Sequence, residues 1–277
     1  MSLAERAEAY SPSTMVGGDL APFLKVYRDE SAAAYAALPE VQTLAYGDMP
    51  SQTLDLALPA GQSPVPLHVF IHGGYWQELS KKDSFFAAPG TLSQGMGFAA
   101  LDYTLAPDAD IDAIVAEVVA ALGYLRGQAD DLGIDATRIV VSGSSAGAHL
   151  AAMACLELDA QEQPVGLILL SGIYDLRPLL ETYINDALGM DEASAMRNSP
   201  ALRAPGAFPA CGIAWAANDT DEFKRQSRQF AQALRGAGRD VQMLEMPGRN
   251  HFDIVLDLTG TSELAEWLPH FARMNGC

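Results

Sequence analysis

Cysteine is scarce in this chain of 277 residues: Cys155, Cys211 and Cys277 match neither a disulfide framework nor a zinc-ligand spacing. An odd, sparse count fits a reducing compartment. Basic residues are scarce too, 17 Lys and Arg against 35 Asp and Glu, for a formal net charge of -18. That balance argues against nucleic acid or an anionic membrane as a partner. The acids are scattered, so they read as a solvated surface. No apolar run approaches the ~20 residues that cross a bilayer. The opening Met1-Ser2-Leu3-Ala4-Glu5-Arg6 has no basic stretch followed by an apolar one. A soluble, cytoplasmic protein is expected. Repeats, low-complexity segments, glycine-rich phosphate loops and clustered metal-ligand spacings are all missing, so neither a nucleotide cofactor nor a metal is expected.

What is present is apolar: 49% of residues, with 19% charged, enough for a large core. Residues 1 to about 40 are Ala-rich with helical spacing around Tyr27, Tyr35 and Leu38, after a turn at Tyr10-Ser11-Pro12-Ser13. The segments 42–46 and 52–58 alternate like half-buried strands around a hairpin turn at Gly47-Asp48-Met49-Pro50. Pro66-Leu67-His68-Val69-Phe70-Ile71 is nearly continuous in apolar character, as a buried strand is. Helix and strand then alternate: helix about 83–94, strand 97–103, amphipathic helix 110–128, strand 138–142, helix 148–154 and strand 165–170. Residues 175–205 interrupt the pattern, with a helix at 176–188 and loops at Asn198-Ser199-Pro200 and Ala204-Pro205-Gly206, and read as a small helical cap. A strand at about 208–216, a helix at 220–236, a strand at 240–246 and a last helix to about Arg273 complete the chain. The pattern predicts a single α/β domain over 1–277, with a mainly parallel sheet, helices on both faces, and antiparallel strands at one edge.

One stretch organises the chemistry. Gly143-Ser144-Ser145-Ala146-Gly147 lies between an apolar run and a helix-like segment, the strand–turn–helix context of a nucleophile elbow. So tight a turn needs small neighbours. It lifts Ser145 Oγ above the sheet and leaves the Ala146 N–H at a helix N-terminus, where negative charge is favoured. A serine needs a base, and the base an orienting acid. His149 rides down the same helix into the packing layer, and His270 ends the last helix facing solvent. His251 stands in a loop just after a strand, at the start of the last helix, and is the expected base. Asp219, Asp221 and Glu222 are possible acids. Asp219 is nearest the strand end, whereas Thr220 reads as an N-cap that places the other two in a first helical turn, so Asp219 is favoured. The glycines of His72-Gly73-Gly74-Tyr75-Trp76, after the strand ending at Ile71, let backbone approach an oxyanion closely. Gly73, Gly74 and Ala146 are the candidate oxyanion donors.

His72-Gly73-Gly74-Tyr75-Trp76 resembles the HGGYW motif of the kynurenine formamidase (arylformamidase) branch of the α/β-hydrolases. The likeness continues through Tyr10-Ser11-Pro12-Ser13, Gln52 with Leu54-Asp55, and Asp102-Tyr103-Thr104-Leu105-Ala106-Pro107. It extends to Ser145-Ala146-Gly147-Ala148-His149-Leu150, Glu222-Phe223-Lys224-Arg225-Gln226-Ser227 and His251-Phe252-Asp253-Ile254-Val255. Ser144 departs from it, since many relatives carry histidine there, and residues 175–205 have no close match. The resemblance implies an α/β-hydrolase fold and the set Ser145, Asp219 and His251. It implies hydrolysis of an aryl formamide such as N-formylkynurenine through a formyl-enzyme, without metal or cofactor. The substrate ring would stack on Tyr75 or Trp76, and a homodimer is conceivable from the family alone. Two other readings share the parts: a carboxylesterase for short acyl aryl esters, and an inactive hydrolase fold serving as a binding protein.

Overall fold

A computed structural model describes residues 2–38, 40–203 and 207–274. Cys277 and the loop read at Ala204-Pro205-Gly206 lie outside the described residues. In chain order, α1 (Leu3–Ala9) and α2 (Ala21–Ala37) precede β1 (Gln42–Ala45), β2 (Thr53–Ala57) and β3 (Val65–Ile71). Next come α3 (Ala88–Ser93), β4 (Gly97–Leu101), α4 (Ile111–Gly127), α5 (Ala129–Leu132), β5 (Ile134–Ser144), α6 (Ala146–Glu157) and β6 (Gly166–Leu170). The short helices α7 (Asn185–Leu188) and α8 (Glu192–Arg197) lead to β7 (Ala210–Asn218), α9 (Asp221–Gly236), β8 (Val241–Asn250) and α10 (Glu263–Arg273).

The strands form one eight-stranded sheet in the order β1-β2-β4-β3-β5-β6-β7-β8. The β1–β2 and β2–β4 pairs are antiparallel and the others parallel, so the antiparallel edge is where the hairpin reading puts it. Alternation along β3 explains why both faces need covering. Leu67, Val69 and Ile71 join Ile114 and Val118 of α4, Leu150 of α6 and Phe230 of α9 in one core. Phe70 points the other way, into a second core with Tyr27 of α2 and Leu268 and Phe271 of α10. Each such side chain, withdrawn from water, contributes about 1.5–3 kcal/mol. Among the described residues no helix is long and apolar enough to cross a membrane.

Three helical expectations change. At 83–94 two 3-10 turns, Lys81–Asp83 and Phe85–Ala87, precede α3, which spans only Ala88–Ser93. The segment 176–188 breaks at Thr182, whose backbone is extended, into the 3-10 turn Arg177–Glu181 and α7. The last helix begins at Glu263, after a 3-10 turn at Ile254–Leu258, rather than next to His251. The long α4 follows the reading closely, with the Asp110 carboxylate accepting from Ala113 N at 2.8 Å as its N-cap. Gly123 sits exposed inside that helix, with no atom within 4 Å of where a β-carbon would go. Gly123→Ala is therefore expected to raise stability by about 0.5–1 kcal/mol. Thermal denaturation should show a Tm higher by roughly 1–4 °C; a lower Tm would mean that this face of α4 is not free.

Candidate active site

The serine of the elbow is held in a backbone conformation that side chains seldom adopt. Ser145 has φ 57° and ψ -117°, between the end of β5 and the first residue of α6. Its N–H donates to Leu170 O at 2.8 Å, tying the turn to the neighbouring strand. The turn closes because Gly147 has no side chain: a β-carbon there would stand 2.0 Å from Ile71 O and 2.6 Å from His72 O. Ala146 opens α6, so its N–H has no acceptor within the helix.

The acid and the histidine are brought together by sheet register. In the parallel β7–β8 pair Asn218 stands opposite Asn250, so the next residues, Asp219 and His251, emerge side by side from the same sheet edge. His251 Nδ1 lies 2.8 Å from Asp219 Oδ2 and donates to it, which leaves Nε2 as the free acceptor. Asp219 is fully buried and His251 nearly so. The other Asp219 oxygen accepts from Thr220 N at 2.8 Å, and Thr220 caps α9 as expected, placing Asp221 and Glu222 in its first turn. Asn250 and Asp253 fold the loop around the histidine: Asn250 N donates to Asp253 Oδ1 at 2.7 Å, and Phe252 N to Asn250 Oδ1 at 2.9 Å. Sequence reasoning passed over this turn, although a loop Asn commonly accepts from the backbone N–H two residues on, as Asn250 does from Phe252.

The His72–Trp76 loop is pinned from behind. Tyr103 Oη donates to His72 O at 3.1 Å and to Gly73 O at 3.3 Å, and His72 Nδ1 donates to Gly73 O at 2.9 Å. In a trans peptide the N–H points opposite to the C=O. Fixing the His72 and Gly73 carbonyls therefore turns the Gly73 and Gly74 N–H groups the other way. A β-carbon on Gly73 would meet Ser145 Cβ at 3.2 Å and Ser144 O at 2.8 Å, so this loop lies directly against the serine. Gly74 has φ 90° and is followed by Tyr75 and Trp76 at φ 50° and 61°.

Ser145, His251, Gly73, Gly74 and Tyr75 line one cavity of about 220 Å³. It is larger than the ~150 Å³ that admits benzene, so one ring with a short side chain fits. No hydrogen bond joins Ser145 Oγ to His251 Nε2, as is common before substrate tightens such contacts. Trp76 corrects the sequence reading. It is fully buried, edge-on to His149 at 5.0 Å, and does not line the cavity; its positive φ turns it behind the loop. Tyr75 does line it, with its hydroxyl donating to Tyr10 O at 2.6 Å. His149 is in the packing layer, donating from Nε2 to Asn198 O at 2.7 Å, and His270 is exposed, both as read. The N-terminal share of the roof was not foreseen. The 175–205 segment supplies Tyr183 and Ile184, but the N-terminal segment also contributes, through Pro12, Ser13, Leu20 and Leu24. Ser11 Oγ and Tyr183 Oη, 2.9 Å apart, join the two. Among the described residues no three His, Cys, Asp or Glu side chains gather as a metal site.

Behind the loop, His72 Nε2 is 3.7 Å from Asp102 Oδ1. This is not an ion pair near neutrality, because burial lowers the His72 pKa to about 4. Burial also raises the Asp102 pKa to about 6, against a donated bond from Lys81 N and the Lys81 charge. A carboxylate whose pKa rises on folding contributes stability at low pH that is lost as pH rises through about 6. Asp102→Asn removes that dependence and keeps an oxygen for Lys81 N. The Tm of the variant minus that of wild type should therefore increase from pH 4 to pH 7. A flat difference would show that Asp102 is not held toward its neutral form.

Comparison with known proteins now adds to this geometry. The BD-FAE family model matches residues 54–193. The chain is 37% identical over 229 residues to the kynurenine formamidase of Danio rerio, covering 79% of this chain and 77% of that one. It is also 37% identical to that of Salmo salar over 225 residues, 77% of this chain and 75% of the relative. A solved structure from Silicibacter sp. tm1040, provisionally designated a thioesterase, superposes with a TM-score of 0.84 at 26% identity, covering 96% of this chain and 99% of its own. The fold is that of the α/β-hydrolases, and the relatives are hydrolases of formamides and esters.

Proposed function

The chain belongs to the kynurenine formamidase family of α/β-hydrolases, and from that premise we infer that Ser145 is the nucleophile of an acyl transfer to water. The observation that carries this reading is the elbow serine sharing one cavity with His251, whose Nδ1 is committed to Asp219 at 2.8 Å. His251 Nε2 accepts the Ser145 proton as Oγ attacks the formyl carbon. The Gly73, Gly74 and Ala146 N–H groups receive the developing oxyanion, each donor contributing typically about 10²–10³ in rate. The tetrahedral adduct collapses as His251 returns the proton to the leaving arylamine nitrogen. Water, deprotonated by His251, then releases formate and restores the serine. Asp219 holds the imidazole in the required tautomer throughout.

The substrate we propose is an aryl formamide, the class to which the named relatives' substrate belongs. A hydrogen is all that the acyl carbon carries, so the crowded loop against Ser145 suits it, and the ring occupies the apolar cavity. Cys155 and Cys211 are both buried and unbridged, which supports a cytoplasmic setting. The test is kcat/KM for N-formyl-L-kynurenine beside 4-nitrophenyl acetate, with Ser145→Ala as the blank. Much higher efficiency on the formamide is expected. Ester turnover with negligible formamide turnover would replace this reading by a short-acyl esterase.

A further inference from the structure

The cavity in front of Ser145 carries negative charge and no positive charge. Glu78 and Asp83 line it, and among the described residues no lysine or arginine does. Glu78 follows the oxyanion loop closely in space as well as in sequence: a β-carbon on Gly74 would meet Glu78 Cβ at 3.2 Å. Its side chain is exposed and takes part in no hydrogen bond or ion pair among the described residues. Asp83 accepts from Ser80 Oγ at 2.7 Å.

The lysines that could have balanced these acids are held elsewhere. Lys81, almost fully buried, directs Nζ to Asp55 Oδ1 at 3.0 Å and to Thr53 Oγ1 at 2.8 Å. Lys82 Nζ lies 2.8 Å from the other Asp55 oxygen and 4.3 Å from the centre of the Tyr35 ring. Two of the neutral donors on the wall are engaged as well. Gln77 Nε2 donates to Ile184 O at 3.0 Å and Ser84 Oγ to Ser80 O at 2.8 Å. A carboxylate entering between Leu24, Phe70 and Phe86 would lose water without gaining a cation. An ammonium there would find Glu78. The overall charge of -18 acts in the same direction at longer range.

We propose that this hydrolase selects its substrate by charge at the end remote from the scissile bond, accepting a cationic or neutral aryl formamide or ester and disfavouring a carboxylate, with Glu78 as the specificity-determining residue. This rests on the hydrolase reading of the same site. Two unit charges about 6 Å apart change an affinity between roughly threefold in a water-like medium and a hundredfold at an effective dielectric near 20. A wall half open to solvent falls between, so about tenfold is expected.

The experiment compares three ortho-acyl formanilides that differ only in the side chain: N-formyl-L-kynurenine, its decarboxylated amine, and the propanoyl compound with no charged group. It also compares 3-(trimethylammonio)phenyl acetate with 3-carboxyphenyl acetate, each corrected for its own hydroxide hydrolysis rate. The amine should exceed the amino acid about tenfold in kcat/KM, and the cationic ester the anionic one by a similar factor. Glu78→Gln should shrink both ratios several-fold and Glu78→Arg should invert them. The ratio is the readout, because a displaced loop or a poorer fold scales all the rates together. In wild type the ratios should also fall as NaCl rises from 0.05 to 1 M, a reading that needs no variant. Equal or reversed preference in wild type, or ratios unmoved by salt and by both substitutions, overturns the proposal. Inert formanilides with active esters would overturn the formamidase reading alone, since the ester pair still reports the charge preference. If both classes are inert, the hydrolase reading and this proposal fall together.

Discussion

Ser145→Ala is expected to lower kcat/KM by about 10⁴-fold or more on every accepted substrate, with Tm within roughly 2 °C of wild type. The two halves have separate causes. Removing Oγ removes the covalent route, and what remains is the rate that the oxyanion donors and substrate binding provide over water. Stability holds because the strain at this position belongs to the backbone: φ is 57°, and alanine brings the same β-carbon as serine. Ser145→Gly separates the two further. It should be as inactive as the alanine variant yet more stable, by about 1 kcal/mol, since glycine takes that φ without strain. Steady-state kinetics on freshly purified protein and a thermal melt check both. Retention of a tenth or more of wild-type kcat/KM in Ser145→Ala would place the nucleophile elsewhere.

The features legible in the sequence were those that local rules dictate. The apolar run at 66–71, the amphipathic helix at 110–128, the Thr220 cap, and the small residues around Ser145 each carry their reason within a few positions. Even the neighbourhood of Asp219 and His251 follows from a strand-end rule, although the register that makes it a contact, Asn218 opposite Asn250, is a property of the sheet. What stayed hidden depends on partners far along the chain. Asp55 drawing both Lys81 and Lys82 away from the cavity joins residues more than twenty-five positions apart, and nothing near Glu78 announces it. The N-terminal share of the roof has the same character, since Ser11 meets Tyr183 only after the sheet has formed. Trp76 was misread because aromatic identity says nothing of which side of a loop with positive φ at successive residues it will occupy. The helix expected at 83–94 failed for a local reason that composition obscured: Pro89 suits the first turn of α3 but cannot donate within a longer helix.

Gly147→Ala should be among the most damaging single methyl additions in this chain, through stability and activity together. The added carbon would stand 2.0 Å from Ile71 O and 2.6 Å from His72 O, and both are main-chain atoms at the end of a central strand. Neither can rotate away as a side chain does, so α6 must retreat by about 1 Å to reach ordinary contact. A loss on the order of 3 kcal/mol follows, seen as a Tm lower by roughly 5–10 °C. The contrast with Gly123→Ala, the same chemical change in another helix but into open space, isolates the cause. The retreat has a second consequence, because α6 carries the Ala146 N–H and Ser145 while the strand end carries Gly73 and Gly74. On the proposed assignment, moving one against the other widens the gap in which the oxyanion would form, and a misplacement of that size costs about 10² in rate. Activity measured well below the melting transition, where the variant is folded, should therefore fall about a hundredfold. A variant with wild-type Tm and turnover within twofold would mean that helix and strand do not meet at this glycine, and the assignment of Ala146 with Gly73 and Gly74 to one oxyanion hole would lose its geometric basis.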